Sequence, residues 1–301
     1  MSGCTLCPRA CGVDRDAGEI GFCGQGRQIR VARAELHFFE EPPISGTRGS
    51  GTVFFVGCSL GCVFCQNRAI SRGGAQGRVC TPRELASIFL SLQDKGAHNI
   101  NLVTATHFLD GVVEALSLCR DRLTVPVVYN TSGYERVESL RRLEGLVDVY
   151  LPDFKYRSSE LSARLSGAPD YAEVATEALL EMHRQTGAPL WEEKEGIRLL
   201  KRGVVVRHLV LPGYRRDSMD VLTHLASLLP GEEFLISLMS QYTPEFAADC
   251  PDTHLHRRVT RFEYESVVDH AVALGLDGFL QDKASATSHY TPDFDRFSDG
   301  E

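Results

Sequence analysis

The chain has 301 residues, of which 43% are apolar, and its 32 basic and 40 acidic side chains give a formal net charge of −8. This length and apolar content support one large α/β domain with at most a small appendage. The sequence has no run rich in Lys or Arg and no apolar stretch as long as a membrane span, which disfavours nucleic acid and membranes as partners.

Residues 1–45 form a cysteine-rich segment without a signal-peptide core. The chain has ten cysteines in all, so we expect a cytoplasmic protein in which metal ligation or reactivity is favoured over disulfides. The segment has the spacing C-x2-C-x3-C-x11-C, set by Cys4, Cys7, Cys11 and Cys23. It is too small for a core of its own, which predicts a metal or cluster as a staple. The spacing is closer to iron–sulfur ligation than to paired zinc knuckles, so we predict a second 4Fe–4S cluster, with structural zinc as the alternative.

The prolines and glycines of residues 42–51 mark a boundary, after which strands and helices alternate. We assign residues 46–285 to the main domain and residues 286–301 to a polar tail. Six apolar runs predict buried parallel strands, at residues 52–57, 99–104, 125–129, 147–152, 203–211 and 233–239.

Helix signals separate these strands. Thr81, Pro82 and Glu84 form a capping box with proline at the first helical position. Further helices are predicted from about Asp170, after Ser218, and near residues 262–274. Strand–helix alternation of this kind produces right-handed βαβ units, and six units predict a partial, open, parallel (βα)6 barrel.

A three-cysteine loop follows the first of these strands, with Cys58, Cys62 and Cys65 in a C-x3-C-x2-C arrangement. Its position places it at the C-terminal mouth of the sheet, where α/β folds have their active sites. Three thiolates would leave one iron of a 4Fe–4S cluster with an open position, because such a cluster normally takes four. Zinc is disfavoured here because no nearby fourth cysteine completes a tetrahedron.

This loop resembles the signature of the radical S-adenosylmethionine (SAM) superfamily, and the chain is similar to pyruvate formate-lyase-activating enzymes over about residues 4–282. The similarity is closest to uncharacterised activating-enzyme-like members. It is carried by the N-terminal cysteines, the cluster loop through Asn67, and segments 40–46, 130–133, 153–155, 207–213 and 239–242. The resemblance implies that a reduced cluster donates an electron to bound SAM, giving methionine and a 5′-deoxyadenosyl radical that abstracts hydrogen.

The resemblance also implies roles for residues around the cluster. Phe64 would pack near the adenine, or simply belong to the core. Asn130 and Ser132 would bind the ribose hydroxyls, or cap a turn. Lys155 would reach the SAM carboxylate with Asp153 neutralising it, the alternative being an internal ion pair. The other expected SAM contacts are Asn67 and Thr104. Arg207 would contact SAM or the substrate, because a guanidinium suits a carboxylate bidentately. Thr104 stands where many relatives have a Gly-Gly-Glu-type motif for the SAM amino group.

Several interpretations of the function remain open. The leading one is a radical SAM oxidoreductase acting on an unknown substrate, either the backbone glycine of a glycyl radical protein or a small molecule or protein side chain. A flavodoxin or ferredoxin would supply the electron, as the resemblance implies. From another class, the chain would be a non-catalytic iron–sulfur electron carrier. The three-cysteine loop argues against that, because carriers normally ligate every iron with protein.

Overall fold

A computed structural model of the chain describes residues 3–72, 74–194 and 196–280. Its strands join in one sheet with the order β10-β9-β8-β6-β5-β4-β2-β1-β3, and β7 pairs with β8 outside that path. The strands are β1 (Ile29–His37), β2 (Ser50–Phe55), β3 (Arg78–Cys80), β4 (Ile100–Val103), β5 (Val127–Thr131), β6 (Val149–Pro152), β7 (Leu190–Lys194), β8 (Ile197–Leu209), β9 (Leu235–Met239) and β10 (Gly278–Leu280).

The parallel part of the sheet confirms the predicted fold class. The six predicted strands correspond to β2, β4, β5, β6, β8 and β9, each parallel to its neighbour, and β10 continues the run beside β9. Sequence reasoning did not predict the antiparallel additions. β1 pairs with β2 and β3, and β7 forms a hairpin with the start of β8.

Helices connect the parallel strands. They are α1 (Pro42–Ser45), α2 (Arg68–Ser71), α3 (Pro82–Asp94), α4 (Leu109–Cys119), α5 (Val137–Arg141), α6 (Ser159–Ser166), α7 (Tyr171–Thr186), α8 (Arg215–Leu228) and α9 (Arg261–Ala273). The capping box predicted at Thr81 and Glu84 is present at the start of α3. The helix predicted after Ser218 begins earlier, at Arg215. None of the helices in the described part of the chain has the length and apolarity needed to cross a bilayer.

A short segment closes one end of the barrel. Residues 38–46, here called the plug segment, follow β1 and include α1. Ile44 is 1% exposed and belongs to an apolar cluster with inward-facing residues of the parallel strands, namely Val128, Val149, Leu151, Val205 and Leu235. The larger core lies between the sheet and its helices. The plug segment therefore provides a floor for the barrel interior, opposite the end where the cluster loop follows β2.

The first 45 residues do not remain apart from this barrel. β1 lies within them and pairs with β2 from Val31 to His37, whereas the cysteine-bearing residues 3–28 precede it. The boundary at residue 45 remains a prediction, and the predicted tail 286–301 lies outside the described residues.

Candidate active site

A cavity of about 300 Å³ opens at the C-terminal ends of the parallel strands and extends down to the plug segment. Its lining contains every residue that the sequence assigned to the cluster loop and to SAM. These are Cys58, Cys62, Phe64, Cys65, Asn67, Thr104, Asn130, Ser132, Asp153, Lys155 and Arg207. Residues separated by up to 149 positions in sequence thus meet in one cavity, because parallel strands end at the same edge of a sheet.

The cluster loop leaves β2 through Gly57, whose φ of +92° favours glycine. Hydrogen-bond donors surround its sulfur atoms. The Leu60 amide lies 3.4 Å from Cys58 Sγ, the Ser166 hydroxyl 3.0 Å from Cys62 Sγ, and the Ser71 hydroxyl 3.5 Å from Cys65 Sγ. Donors aimed at sulfur stabilise thiolates and tune the reduction potential of a cluster that they hold.

The thiols of this loop are poorly solvated. Burial raises the pKa of Cys65 to about 12 and also raises the pKa of Cys62, where the nearby positive charge of Lys155 opposes the effect. Buried thiols of this kind are inert on their own, but coordination to a metal deprotonates a thiol outright. The donor set of three cysteines with hydroxyl and amide donors fits an iron–sulfur cluster.

A charged cluster formed by Asp153, Lys155 and Arg207 lies beside the thiols. The backbone brings its members together, because Asp153 forms a parallel bridge to Arg207 just past the end of β6. Lys155 Nζ lies 2.6 Å from Asp153 Oδ2, and Arg207 Nε lies 3.4 Å from Asp153 Oδ1. Burial tends to raise the pKa of Asp153, but the two cations outweigh it and hold that pKa below its usual range. The cluster therefore places one carboxylate between two cations at the cavity wall.

Thr104 follows β4 with a φ of +59°. A β-branched residue in the left-handed region is an outlier that costs about 1–3 kcal/mol and is found at functional sites. Its amide donates to the Asn130 carbonyl at 2.9 Å, which extends the pairing of β4 with β5 into the cavity wall. Two nearby histidines do not line the cavity. His107 contacts the Val56 carbonyl, and His208 contacts the Phe154 carbonyl, each at 2.7 Å.

Phe64 belongs to the hydrophobic core and also lines the cavity. It is 6% exposed, and its ring packs against Tyr156 and Tyr242 at centroid distances of 6.5 and 6.2 Å. Gln66 donates to the Gln241 carbonyl at 2.8 Å, so the segment after β9 is tied to the cluster loop. These contacts explain how residues 239–242, known in the sequence only as part of the resemblance, reach the site.

The N-terminal cysteines form a second group outside the cavity. Cys7 and Cys23 are buried, Cys4 is half-buried, and Cys11 is exposed. The position that a β-carbon on Gly21 would occupy lies 3.1 Å from Cys11 Sγ and 3.6 Å from Cys23 Sγ, so both sulfurs face the same small space. Arg15 Nη2 lies 3.0 Å from Cys23 Sγ, and its positive charge opposes the burial that raises the pKa of Cys23.

Zinc and a 4Fe–4S cluster require different positions of their cysteine sulfur ligands. A zinc ion needs all its sulfur ligands about 2.3 Å from one point. Within the described ranges, no group of three or more His, Cys, Asp or Glu side chains converges on a point suited to one metal ion. In a 4Fe–4S cluster each thiolate binds its own iron, so the ligands need not converge in that way.

Arg9 connects the N-terminal segment to the cluster loop, a role that sequence reasoning missed. Its guanidinium donates to four carbonyl groups at 2.5 to 3.0 Å, two in the cluster loop and two at the end of α6, namely those of Ser59, Leu60, Ser166 and Gly167. It also lies over the Phe22 ring, 4.1 Å from the centroid. The carbonyl of Cys23 packs against Gly57, where a β-carbon would lie 2.6 Å from that oxygen. The two cysteine groups are thus in direct structural contact.

A partial parallel barrel with a three-cysteine loop after its first parallel strand defines a class of cluster-dependent SAM enzymes. Residues 52–226 match the model of the radical SAM superfamily, and the chain belongs to that superfamily. Membership implies a 4Fe–4S cluster and SAM. The chain is also 30% identical over 286 residues to the uncharacterized protein MJ0674 of Methanocaldococcus jannaschii, covering 92% of this chain and 76% of that protein.

Solved structures share the fold at low sequence identity. SuiB of Streptococcus suis, bound to its precursor peptide SuiA, superposes with a TM-score of 0.50 at 13% identity. The match covers 75% of this chain and 46% of SuiB, so the chain spans about half the length of that protein and the likeness concerns the fold alone. A domain of pyruvate-formate lyase-activating enzyme from Bacteroides vulgatus gives a TM-score of 0.42 at 12% identity, covering 58% of this chain and 91% of that domain. That score is too low to bear on function.

Proposed function

We propose that this chain is a radical SAM oxidoreductase that holds a 4Fe–4S cluster on Cys58, Cys62 and Cys65 and abstracts hydrogen from a substrate bound in the barrel cavity. The observation that carries the proposal is that these cysteines line the same cavity as the charged cluster and the strand-end polar residues. When bound, the cluster and SAM together supply a one-electron cleavage that generates a hydrogen-abstracting radical. The electron-carrier alternative gives no role to such a cavity.

The chain's own residues would bind and orient SAM. Lys155 would hold its carboxylate, with Asp153 fixing the direction of the ammonium group through their 2.6 Å contact. Phe64 would pack over the adenine and exclude water, while Asn130 and Ser132 would bind the ribose hydroxyls. Thr104, whose backbone is strained, would bind the amino group of SAM, a role that a Gly-Gly-Glu-type motif has in many relatives. Asn67 and Arg207 also line the cavity beside these residues.

The two substrate classes, a backbone glycine of a protein and a small molecule or side chain, differ in the cavity that would suit them. A backbone glycine carries no charge, whereas the cavity floor contains buried carboxylates of the plug segment. This favours a small molecule or side chain with a charged group over a glycyl radical protein. Activation of a glycyl radical enzyme remains the alternative.

We also place a second 4Fe–4S cluster on Cys4, Cys7, Cys11 and Cys23, with structural zinc as the alternative. The contact between Cys23 and Gly57 supports a redox role, because it brings the two cysteine groups together. Cys11 is exposed, so a cytoplasmic flavodoxin- or ferredoxin-type protein would reach this side first.

The test is anaerobic reconstitution of the wild type and of three alanine variants, at Cys62, Cys7 and Cys119. Iron, sulfide and zinc are counted, and 5′-deoxyadenosine is measured after dithionite and SAM. Cys119 is a matched control, because it is a buried cysteine of α4 whose Sγ donates to the Ala115 carbonyl. We expect Cys62→Ala to lose 5′-deoxyadenosine formation and Cys7→Ala to lose only the second cluster, while Cys119→Ala matches the wild type. Full 5′-deoxyadenosine formation by Cys62→Ala would refute the assignment.

A further inference from the structure

The plug segment carries two adjacent glutamates, Glu40 and Glu41, which line the floor of the cavity. Both carboxylate oxygens of Glu40 have a partner. Its Oε1 accepts from Asn101 Nδ2 at 2.9 Å, and its Oε2 lies 3.2 Å from Arg207 Nη1. The same Arg207 guanidinium contacts Asp153 and donates to Asn130 Oδ1, so the glutamates adjoin the wall assigned to SAM on the side of the plug segment.

One carboxylate oxygen of Glu41, in contrast, has no partner among the described residues. It is 8% exposed, and the Ser237 side chain lies near its carboxyl group. Its Oε2, however, has no hydrogen-bond partner within residues 3–72, 74–194 and 196–280. A buried carboxylate oxygen without a partner is costly, and such groups are retained where a ligand supplies the missing donor. Burial accordingly raises the pKa of Glu41, with Arg207 opposing the effect.

The charge of the cavity indicates what that donor carries. Three carboxylates and two cations line the described cavity, namely Glu40, Glu41, Asp153, Lys155 and Arg207, which leaves an excess of one negative charge when all five are ionised. Burial raises the pKa of both Glu40 and Glu41, so a cation beside them would favour their ionised forms. Arg207 lies near all three carboxylates and Lys155 pairs with Asp153, so the excess is shared, and the unpartnered oxygen of Glu41 is the place where a further donor can bind. An oxidised cluster on three thiolates is a monoanion and SAM is a monocation, so the bound cofactors cancel one another. A ligand with a positive charge would complete the balance.

We propose that Glu41 binds a cationic group of the substrate, a protonated amine or a guanidinium, on the floor of the barrel cavity. This inference rests on the proposed function, because it names the substrate class of the same site. Glu41 is not among the residues assigned to SAM, and it lies beside Ser237 of β9 in the cavity lining. The substrate would lie between the cluster loop above and the glutamates below, where its carbon atoms face the site of radical formation.

The test uses four probes of matched size with the reconstituted, SAM-bound protein: butylamine, butylguanidine, butanol and butyrate. Binding is measured by calorimetry for the wild type, Glu41→Gln and Glu193→Gln, in which Glu193 is an exposed residue of β7. We expect the wild type and Glu193→Gln to bind one or both cations at least tenfold more tightly than butanol or butyrate. Glu41→Gln should lose that preference. Absence of cation binding to the wild type, or an unchanged preference in Glu41→Gln, would overturn the inference.

The melting temperature of the ligand-free protein provides a second readout. Glutamine has the shape of glutamate without its charge, so Glu41→Gln should melt at a higher temperature than the wild type. A lower melting temperature would show that the carboxylate serves the fold and would also overturn the inference.

Wild-type 5′-deoxyadenosine formation, measured in parallel, separates this inference from the proposed function. If the wild type forms 5′-deoxyadenosine without cation preference, only the inference fails. If it binds cations through Glu41 but forms none, the proposed function fails instead.

Discussion

Replacing Arg9 with alanine would test how the N-terminal segment supports the cluster loop. The guanidinium donates to four carbonyl groups, two in the cluster loop and two at the end of α6, and it lies over the Phe22 ring. Each such hydrogen bond contributes about 1 kcal/mol net, and partial exposure of the site reduces the sum. We therefore expect Arg9→Ala to lower the free energy of unfolding by about 2 to 4 kcal/mol.

The assay is urea denaturation of the anaerobic protein, followed by fluorescence and by release of iron. Arg27→Ala is the matched control, because Arg27 lies in the same segment but makes an exposed ion pair with Asp16. In Arg9→Ala, iron should be released at lower urea than in the wild type, since the cluster loop loses two carbonyl contacts. If Arg9→Ala unfolds like Arg27→Ala, the N-terminal segment does not brace the cluster loop.

Three further predictions concern the site and its supports. Gly57→Ala should destabilise the protein and reduce iron content, because a β-carbon there would meet the Cys23 carbonyl at 2.6 Å and φ is +92°; normal iron content would refute this. Asp153→Asn should lower the free energy of unfolding by about 3 kcal/mol in urea titration, because it leaves the buried Lys155 without its carboxylate while Arg207 keeps only Glu40, and a loss below about 1 kcal/mol would contradict the ion-pair geometry. Glu263→Gln should cost about 1 to 2 kcal/mol at pH 7, because a hydrogen bond from Arg257 outweighs burial and holds the pKa of Glu263 well below its usual range. That stabilisation is present above the unfolded-state pKa of about 4.3 and is lost as pH falls towards the depressed pKa, so the difference between the proteins should shrink below about pH 4; a difference that grows in acid would refute it.

The sequence predicted much of the barrel and its mouth, for identifiable reasons. Parallel strands covered on both faces appear as continuous apolar runs, and Lys155 or Arg207 stands out as a charge at the end of such a run. The capping box at Thr81 has a local signature that tertiary contacts did not alter. These features depend on short-range patterns.

The parts that could not be predicted depend on long-range contacts. β1 lies in a cysteine-rich segment whose composition hides a strand, and its pairing with β2 becomes visible only in the fold. Arg9 stands in a short loop between cysteines, and nothing local indicates that it reaches residues 166 and 167. Glu41 precedes two prolines and looks like a turn residue, yet the plug segment carries it into the barrel. Its unpartnered oxygen is a property of the cavity and not of the sequence.

Electron paramagnetic resonance of the dithionite-reduced Cys7→Ala protein, recorded with and without SAM, tests the central claim most directly. This variant should retain only the cluster on Cys58, Cys62 and Cys65, so its signal reports that site alone. If the cluster has an open iron position within the cavity, saturating SAM will change the signal, because SAM becomes a ligand of that iron. A reduced-cluster signal that is identical with and without SAM would contradict the account.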